Sequence, residues 1–192
     1  MISFEDDLYC ACQTLKKGGI ILYPTDTVWG IGCDAGCSEA VARIFKLKQR
    51  EDSKAMISLV SDTEMLKRYA GAKGAEMYGD VSKQFAKPVS MIFPKVDLLS
   101  DNLLAADGSC ALRITSERFS HGLCRGIDGA LVSTSANISG SPTARFFNEI
   151  APEIVSGVDY VVSYRRDDLS EHEPSAVLFV DPSTYHITVL RP

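Results

Sequence analysis

Lys48 and Arg50 stand two residues apart, just past a segment with helical periodicity, with Gln49 between them. An ammonium and a guanidinium so placed can converge on a polyphosphate. The guanidinium forks onto two oxygens and the ammonium adds a mobile charge. The same pair also suits a plain helix end, where cations offset the dipole. On spacing alone that plainer explanation is the more frequent one. A second group is Ser133-Thr134-Ser135-Ala136-Asn137-Ile138-Ser139-Gly140, which follows an apolar run. A turn at the carboxyl end of a strand gathers hydroxyls, an amide and backbone N–H groups where open α/β sheets bind ligands. A turn whose Ser and Asn bond only their own backbone has the same composition, and spacing does not separate the two. Pro24-Thr25-Asp26-Thr27 is a third polar turn, ordinary if Asp26 closes an Asx bond. Arg113 lies in an otherwise apolar run, where an unpaired guanidinium is costly. Its partner is a buried acid or a bound anion.

The commoner signatures are missing. There is no G-x-x-x-x-G-K-[ST] loop, no G-x-G-x-x-G after a strand, no G-x-S-x-G elbow and no H-E-x-x-H. A net charge of −5 removes any whole-molecule attraction to nucleic acid. Residues 43–54 depart from that balance: Arg43, Lys46, Lys48, Arg50 and Lys54 face only Glu51 and Asp52. Positive charge is thereby concentrated for a local anion. The six cysteines follow an acidic start rather than a secretory one, so reduced thiols are expected. Cys33 and Cys37 have loose metal-like spacing without a second pair, and His121, His172 and His186 are scattered, so no protein-liganded metal is expected. No apolar run approaches the ~18 residues of a membrane span, and a cytoplasmic location is the default.

Periodicity supplies the elements that must position these groups. Ser3 caps a helix over 4–17, closed by Gly18. Strands are predicted at 20–23 and 28–33, the second holding Gly30 and Gly32. Ser38 caps a helix over 39–48 whose stripe of Val41, Ile44 and Phe45 continues to Lys48. Further strands are expected at 56–60, 88–93, 110–115, 130–133, 158–163, 176–180 and 185–190. Helices are expected near 62–70, 74–85, 116–125 and 145–150. The polar stretch 165–174 reads as a mobile loop. Helices and strands interleave first and strands dominate later. That pattern predicts an α/β fold, a twisted mixed parallel/antiparallel sheet flanked by helices, in one domain over 1–192.

Taken in order, these pieces resemble the YrdC-like family of threonylcarbamoyl-AMP synthases, in its single-domain form, over nearly the whole chain. The matching stretches are 23–34 (Tyr-Pro-Thr-Asp-Thr-Val-Trp-Gly-Ile-Gly-Cys-Asp), Leu47-Lys48-Gln49-Arg50, 87–94, Leu112-Arg113-Ile114, 133–140 and Pro174-Ser175. Either K-x-R or S-x-N alone is weak; both in this order are specific. The resemblance implies a nucleotidyltransferase that joins L-threonine, bicarbonate and ATP into L-threonylcarbamoyladenylate, with Mg²⁺ accompanying the ATP. The product would feed a downstream tRNA threonylcarbamoyl transferase complex, and tRNA or double-stranded RNA is a further partner the family implies. Carried over by position, Lys48 and Arg50 are catalytic. Arg50, Lys54, Ser109, Ser133, Asn137, Thr143 and Arg191 face ATP, and Thr27, Arg113, Ser135 and Ser175 face threonine. The chain departs from the family pattern at Glu51 (often Pro), Trp29 (Tyr or Phe), Leu59 (His in some members) and Lys87-Pro88 (Gly-Pro). The alternative is a non-catalytic RNA-binding or nucleotide-binding paralogue on the same fold, which the basic 43–54 segment motivates and the overall acidity opposes.

Overall fold

Ser3 starts the first helix as its sequence position requires. Its Oγ accepts the Asp6 amide at 3.1 Å and α1 (Phe4–Lys16) follows, with Glu5, Asp6 and Asp7 in its first turn and Lys16 in its last. Acids at the start and a cation at the end match the helix dipole. The computed structural model describes residues 2–49, 56–181, 183–184 and 186–191. Four further helices are α2 (Ser38–Leu47), α3 (Thr63–Ser82), α4 (Arg118–Ile127) and α5 (Pro152–Gly157). None is long and apolar enough to cross a membrane.

The strands are β1 (Ile21–Tyr23), β2 (Gly30–Gly32), β3 (Ile57–Val60), β4 (Val89–Phe93), β5 (Cys110–Ile114), β6 (Leu131–Ser135), β7 (Tyr160–Val161), β8 (Ala176–Val180) and β9 (Ile187–Arg191). They form one sheet in the order β7-β1-β2-β6-β3-β5-β4-β8-β9. The pairs β1 with β7, β3 with β5 and β4 with β8 are parallel; the rest are antiparallel. The mixed sheet flanked by helices is therefore present.

Local expectations fail where a neighbouring signal is stronger. The N-cap of α2 is Cys37, without a side-chain cap bond, and the Ser38 hydroxyl turns to Glu39 instead. The two helices expected at 62–70 and 74–85 form one run broken at Gly71, whose φ of 72° only glycine adopts freely. Residues 145–150 hold a 3₁₀ turn (Phe147–Glu149), and the helix comes later as α5, with Pro152 in its first turn. Proline at that position is itself a start signal.

Register decides which side chains share a face. Ser133, Ile57, Ala111, Ile92 and Phe179 lie side by side across five strands. A period of two puts Ser135, Leu59 and Arg113 on that same face. The row pointing the other way (Val132, Ser58, Leu112, Met91 and Leu178) is 0% exposed throughout. Ser133, Ile57, Ile92 and Phe179 are only half-buried. That row is thus partly open, with Ser133 and Ser135 of β6 on the same face, whereas Arg113 lies buried on it, level with Leu59 and Leu131.

Tyr23, level with Gly30 and Ser135, covers part of that face from β1. Its ring crosses β2 and its hydroxyl donates to the Val132 carbonyl on β6 at 3.1 Å. Burial pushes its phenol well above the ordinary range, so it remains a donor. The crossing requires glycine at 32: a Cβ there would stand 2.7 Å from the Tyr23 ring and also against the Val132 carbonyl. Gly32→Ala should therefore cost about 1–3 kcal/mol by overpacking. Urea unfolding measures this as a lower midpoint, and an unchanged midpoint would show that the ring can shift without cost.

Candidate functional site

The buried stripe of α2 delivers Lys48 to the end of β6. Val41, Ile44 and Phe45 anchor the helix, and Lys48 follows as its C-cap, 2% exposed. The ammonium donates to the Ser135 carbonyl, to the Asn137 carbonyl at 2.7 Å and to Asn137 Oδ1 at 3.4 Å. The Lys48 carbonyl in turn accepts the Ser139 amide at 2.8 Å. Lys48 and the Ser/Asn turn are thus held to each other from both directions. Lys48 is more than a cation at a helix end, because its charge is spent on the other motif. Gln49 then adopts φ 50°, and the chain leaves the helix there. Arg50, Glu51 and Lys54 lie outside the described residues.

The Ser/Asn turn fits both readings of its composition. The Ser135 hydroxyl donates to Asn137 Oδ1 at 2.5 Å, and Asn137 Nδ2 donates to the Ser141 and Ile138 carbonyls at 2.6 and 3.2 Å. That is a self-bonded turn. It also sits at the carboxyl end of β6, with Ser133 and Ser135 half-exposed on the open face. Ala136 bonds the Trp29 carbonyl at 3.0 Å, which ties the turn to β2. Thr143, further along the same loop, is exposed.

Thr27 is held by Thr25. The Thr25 hydroxyl accepts the Thr27 amide at 3.0 Å, donates to the Val28 carbonyl at 2.7 Å and lies 3.1 Å from the Thr27 hydroxyl. With the Thr25 proton committed to Val28, Thr27 is the donor between the two. Its remaining oxygen lone pairs are left to accept.

Between them, Asp26 reaches Arg113. Their Oδ1 and Nη2 are 2.9 Å apart, with side chains 9% and 4% exposed. The contact is a close charge pair without hydrogen-bond alignment: Asp26 Oδ1 and Arg113 Nε lack a hydrogen-bond partner among the described residues. The sequence left open a buried acid or a bound anion, and the acid is there. The unsatisfied guanidinium edge leaves capacity for an anion as well.

On the far strands, Ser175 is buried and Arg191 exposed. Arg191 donates to the Ser175 carbonyl at 3.0 Å and to its hydroxyl at 3.2 Å, and Ser90 Oγ lies 3.0 Å from Ser175 Oγ. Ser109, 8% exposed, precedes β5 and donates its amide to Asp107 at 3.0 Å.

Sequence reasoning missed the 165–174 segment. Arg165 donates to the Thr25 carbonyl at 3.1 Å, Glu171 pairs with Arg145 at 3.0 Å and Glu173 with Lys87 at 3.7 Å. The segment is tied across the 25–27 turn instead of hanging free. Its only signal was its density of charge, which reads equally as a solvated loop.

Burial pushes the Cys110 thiol up to about 11 and Cys124 up to about 12. Thiols so raised are inert near neutral pH. Among the described residues no cluster of three His, Cys, Asp or Glu side chains could hold a metal.

The charge pair generates a direct test. Asp26→Ala would strand the Arg113 guanidinium, and breaking one side of a buried pair costs about 3–5 kcal/mol. Thermal or urea unfolding of the variant should show a loss of that order; a loss below about 1 kcal/mol would mean that water already reaches Arg113.

Known proteins resemble this chain in sequence and in fold. The profile of the Sua5/YciO/YrdC family, described as telomere recombination, matches residues 13–192. Threonylcarbamoyl-AMP synthase of Halorhodospira halophila is 31% identical over 164 residues, covering 85% of this chain and 86% of that protein. The protein of the same name from Idiomarina loihiensis is 34% identical over 158 residues, covering 81% and 85%. Escherichia coli YciO superposes with a TM-score of 0.80 at 20% identity, over 100% of this chain and 90% of its own. Pyrococcus abyssi Sua5 complexed with L-threonine superposes with a TM-score of 0.81 at 23% identity. The chain spans all its own length but only 55% of that protein, so this likeness concerns the fold. The profile match takes in every candidate position from Thr27 to Arg191, and the chain belongs to the Sua5/YciO/YrdC family.

Proposed function

We propose that this protein is an L-threonylcarbamoyladenylate synthase, joining L-threonine, bicarbonate and ATP with release of pyrophosphate. The observation that carries the reading is the buried Lys48 ammonium on Ser135 and Asn137. It locks Lys48 to the S-x-N turn at the carboxyl end of β6. Relatives above 30% identity that carry the synthase name support it.

The geometry suits the chemistry. Adenylate formation is displacement at phosphorus, where positioning and charge stabilisation do most of the work. It needs cations and oriented donors, not a covalent nucleophile. Lys48 and Arg50 take the catalytic role, Lys48 by shaping the turn that receives the nucleotide. Arg50, Lys54, Ser109, Ser133, Asn137, Thr143 and Arg191 serve ATP. Thr27 offers an acceptor to the threonine hydroxyl or ammonium, and Arg113 a cation to its carboxylate; Ser135 and Ser175 are the further threonine contacts. Mg²⁺ enters with the ATP, and the hydroxyl and amide oxygens of the turn are hard donors that suit it. The product is a mixed anhydride, consumed by a tRNA threonylcarbamoyl transferase complex.

The test is pyrophosphate release from ATP by the purified protein supplied with Mg²⁺. Release should require both L-threonine and bicarbonate, and release indifferent to threonine would sink the reading. Salt-sensitive RNA binding without ATP binding would instead support the non-catalytic paralogue. Arg50→Ala should weaken ATP binding about 10- to 100-fold, the worth of charge-assisted hydrogen bonds to phosphate. Calorimetry reads this directly, and an unchanged affinity removes Arg50 from the site.

A further inference from the structure

We propose that Arg165 is a positioning residue for the 25–27 turn, setting Thr27 through a strap formed by residues 163–172. The proposal rests on the reading of Thr27 as a contact to L-threonine.

The strap has a fixed base. Asp7, 1% exposed on α1, accepts the Tyr160 hydroxyl at 2.7 Å and the Ser163 and Tyr164 amides at 2.8 Å each. The Tyr164 ring stacks on Phe119 at 5.6 Å and meets Phe4 edge-on at 5.0 Å. The chain therefore reaches residue 165 in one orientation.

There it does something a side chain with a Cβ resists. Arg165 adopts φ 63°, in the left-handed region that glycine occupies freely. A strained arginine on a solvated loop has no reason to persist, since glycine would remove the strain. What the arginine adds is its fork. Nε donates to Asp168 at 2.8 Å, Nη1 donates to the Thr25 carbonyl at 3.1 Å and lies 3.8 Å from Glu117, and Nη2 lies 2.9 Å from His172 Nε2. Because a guanidinium only donates, His172 Nε2 accepts. Glu117 is fixed in turn as the N-cap of α4, accepting the Ser120 amide at 2.8 Å. Ser170, then Arg165, holds the Asp168 carboxyl well below the usual range, so it stays an acceptor.

The fork acts on the turn at one atom, the Thr25 carbonyl. The Thr25 hydroxyl oxygen accepts both the amide and the hydroxyl of Thr27. A shift of Thr25 therefore moves Thr27. Between strap and turn only about 10 Å³ remains, lined by Thr27, Trp29, Arg145, Arg165, Asp168 and His172. Room for about one water leaves little freedom for either side. Lysine could keep the charge but not the planar fork, so charge alone cannot do this.

The experiment compares the wild type with Arg165→Gly and Arg165→Lys. Glycine removes fork and strain together, so relief of strain partly offsets the lost bonds and its thermal midpoint should fall by only a few degrees. Calorimetric affinity for L-threonine should nevertheless fall about tenfold or more, as small misplacements of positioning groups do. ATP affinity should stay within about twofold, and the lysine variant should lose threonine affinity as well. Hydrogen exchange of the 25–28 amides in free protein should quicken in both variants. Threonine binding by Arg165→Gly within about twofold of wild type overturns the proposal. Should the glycine variant fail to fold, the lysine variant decides by the same two readings. Should the wild type itself bind no threonine, the reading of Thr27 falls, and exchange at 25–28 still decides whether Arg165 positions the turn: unchanged exchange overturns it.

Discussion

A buried ammonium must find acceptors for its donors or it does not stay buried. Lys48 is 2% exposed, and its acceptors are the carbonyls of Ser135 and Asn137. Much of the site follows from that demand. The end of α2 is held against the end of β6, the Ser/Asn turn is shaped around the ammonium, and the segment after Lys48 starts from that junction. The Ser139 amide on the Lys48 carbonyl makes the junction two-sided, so neither motif can move alone.

A second buried charge works differently. Arg113 and Asp26 neutralise each other without satisfying each other, leaving Arg113 Nε and Asp26 Oδ1 without hydrogen bonds among the described residues. Such a pair is poor structural cement, because desolvation costs about as much as attraction returns. The contrast with Lys48 separates two kinds of buried charge: one bonded to several acceptors, the other paired but under-bonded.

The elements were legible from periodicity and turn chemistry because both are local. Ser3 caps α1, and the stripe of α2 runs to Lys48. Where sequence reasoning slipped, two local signals competed. Cys37 took the cap expected of Ser38, and Pro152 started a helix that the 145–150 pattern did not. The candidate residues were legible as types in a specific order. Their mutual contacts were not.

By itself the sequence determined the mixed α/β class, most of the elements and the family whose motifs the chain carries in order. Tertiary structure decided that Lys48 bonds Ser135 and Asn137, that the acid beside Arg113 is Asp26, and that Arg165 reaches back to Thr25. The physical reason is range. Helix and strand periods are set by neighbours a few residues away, whereas these partners lie 87, 89, 87 and 140 residues apart. They meet only through the strand order of the sheet, which no local pattern encodes.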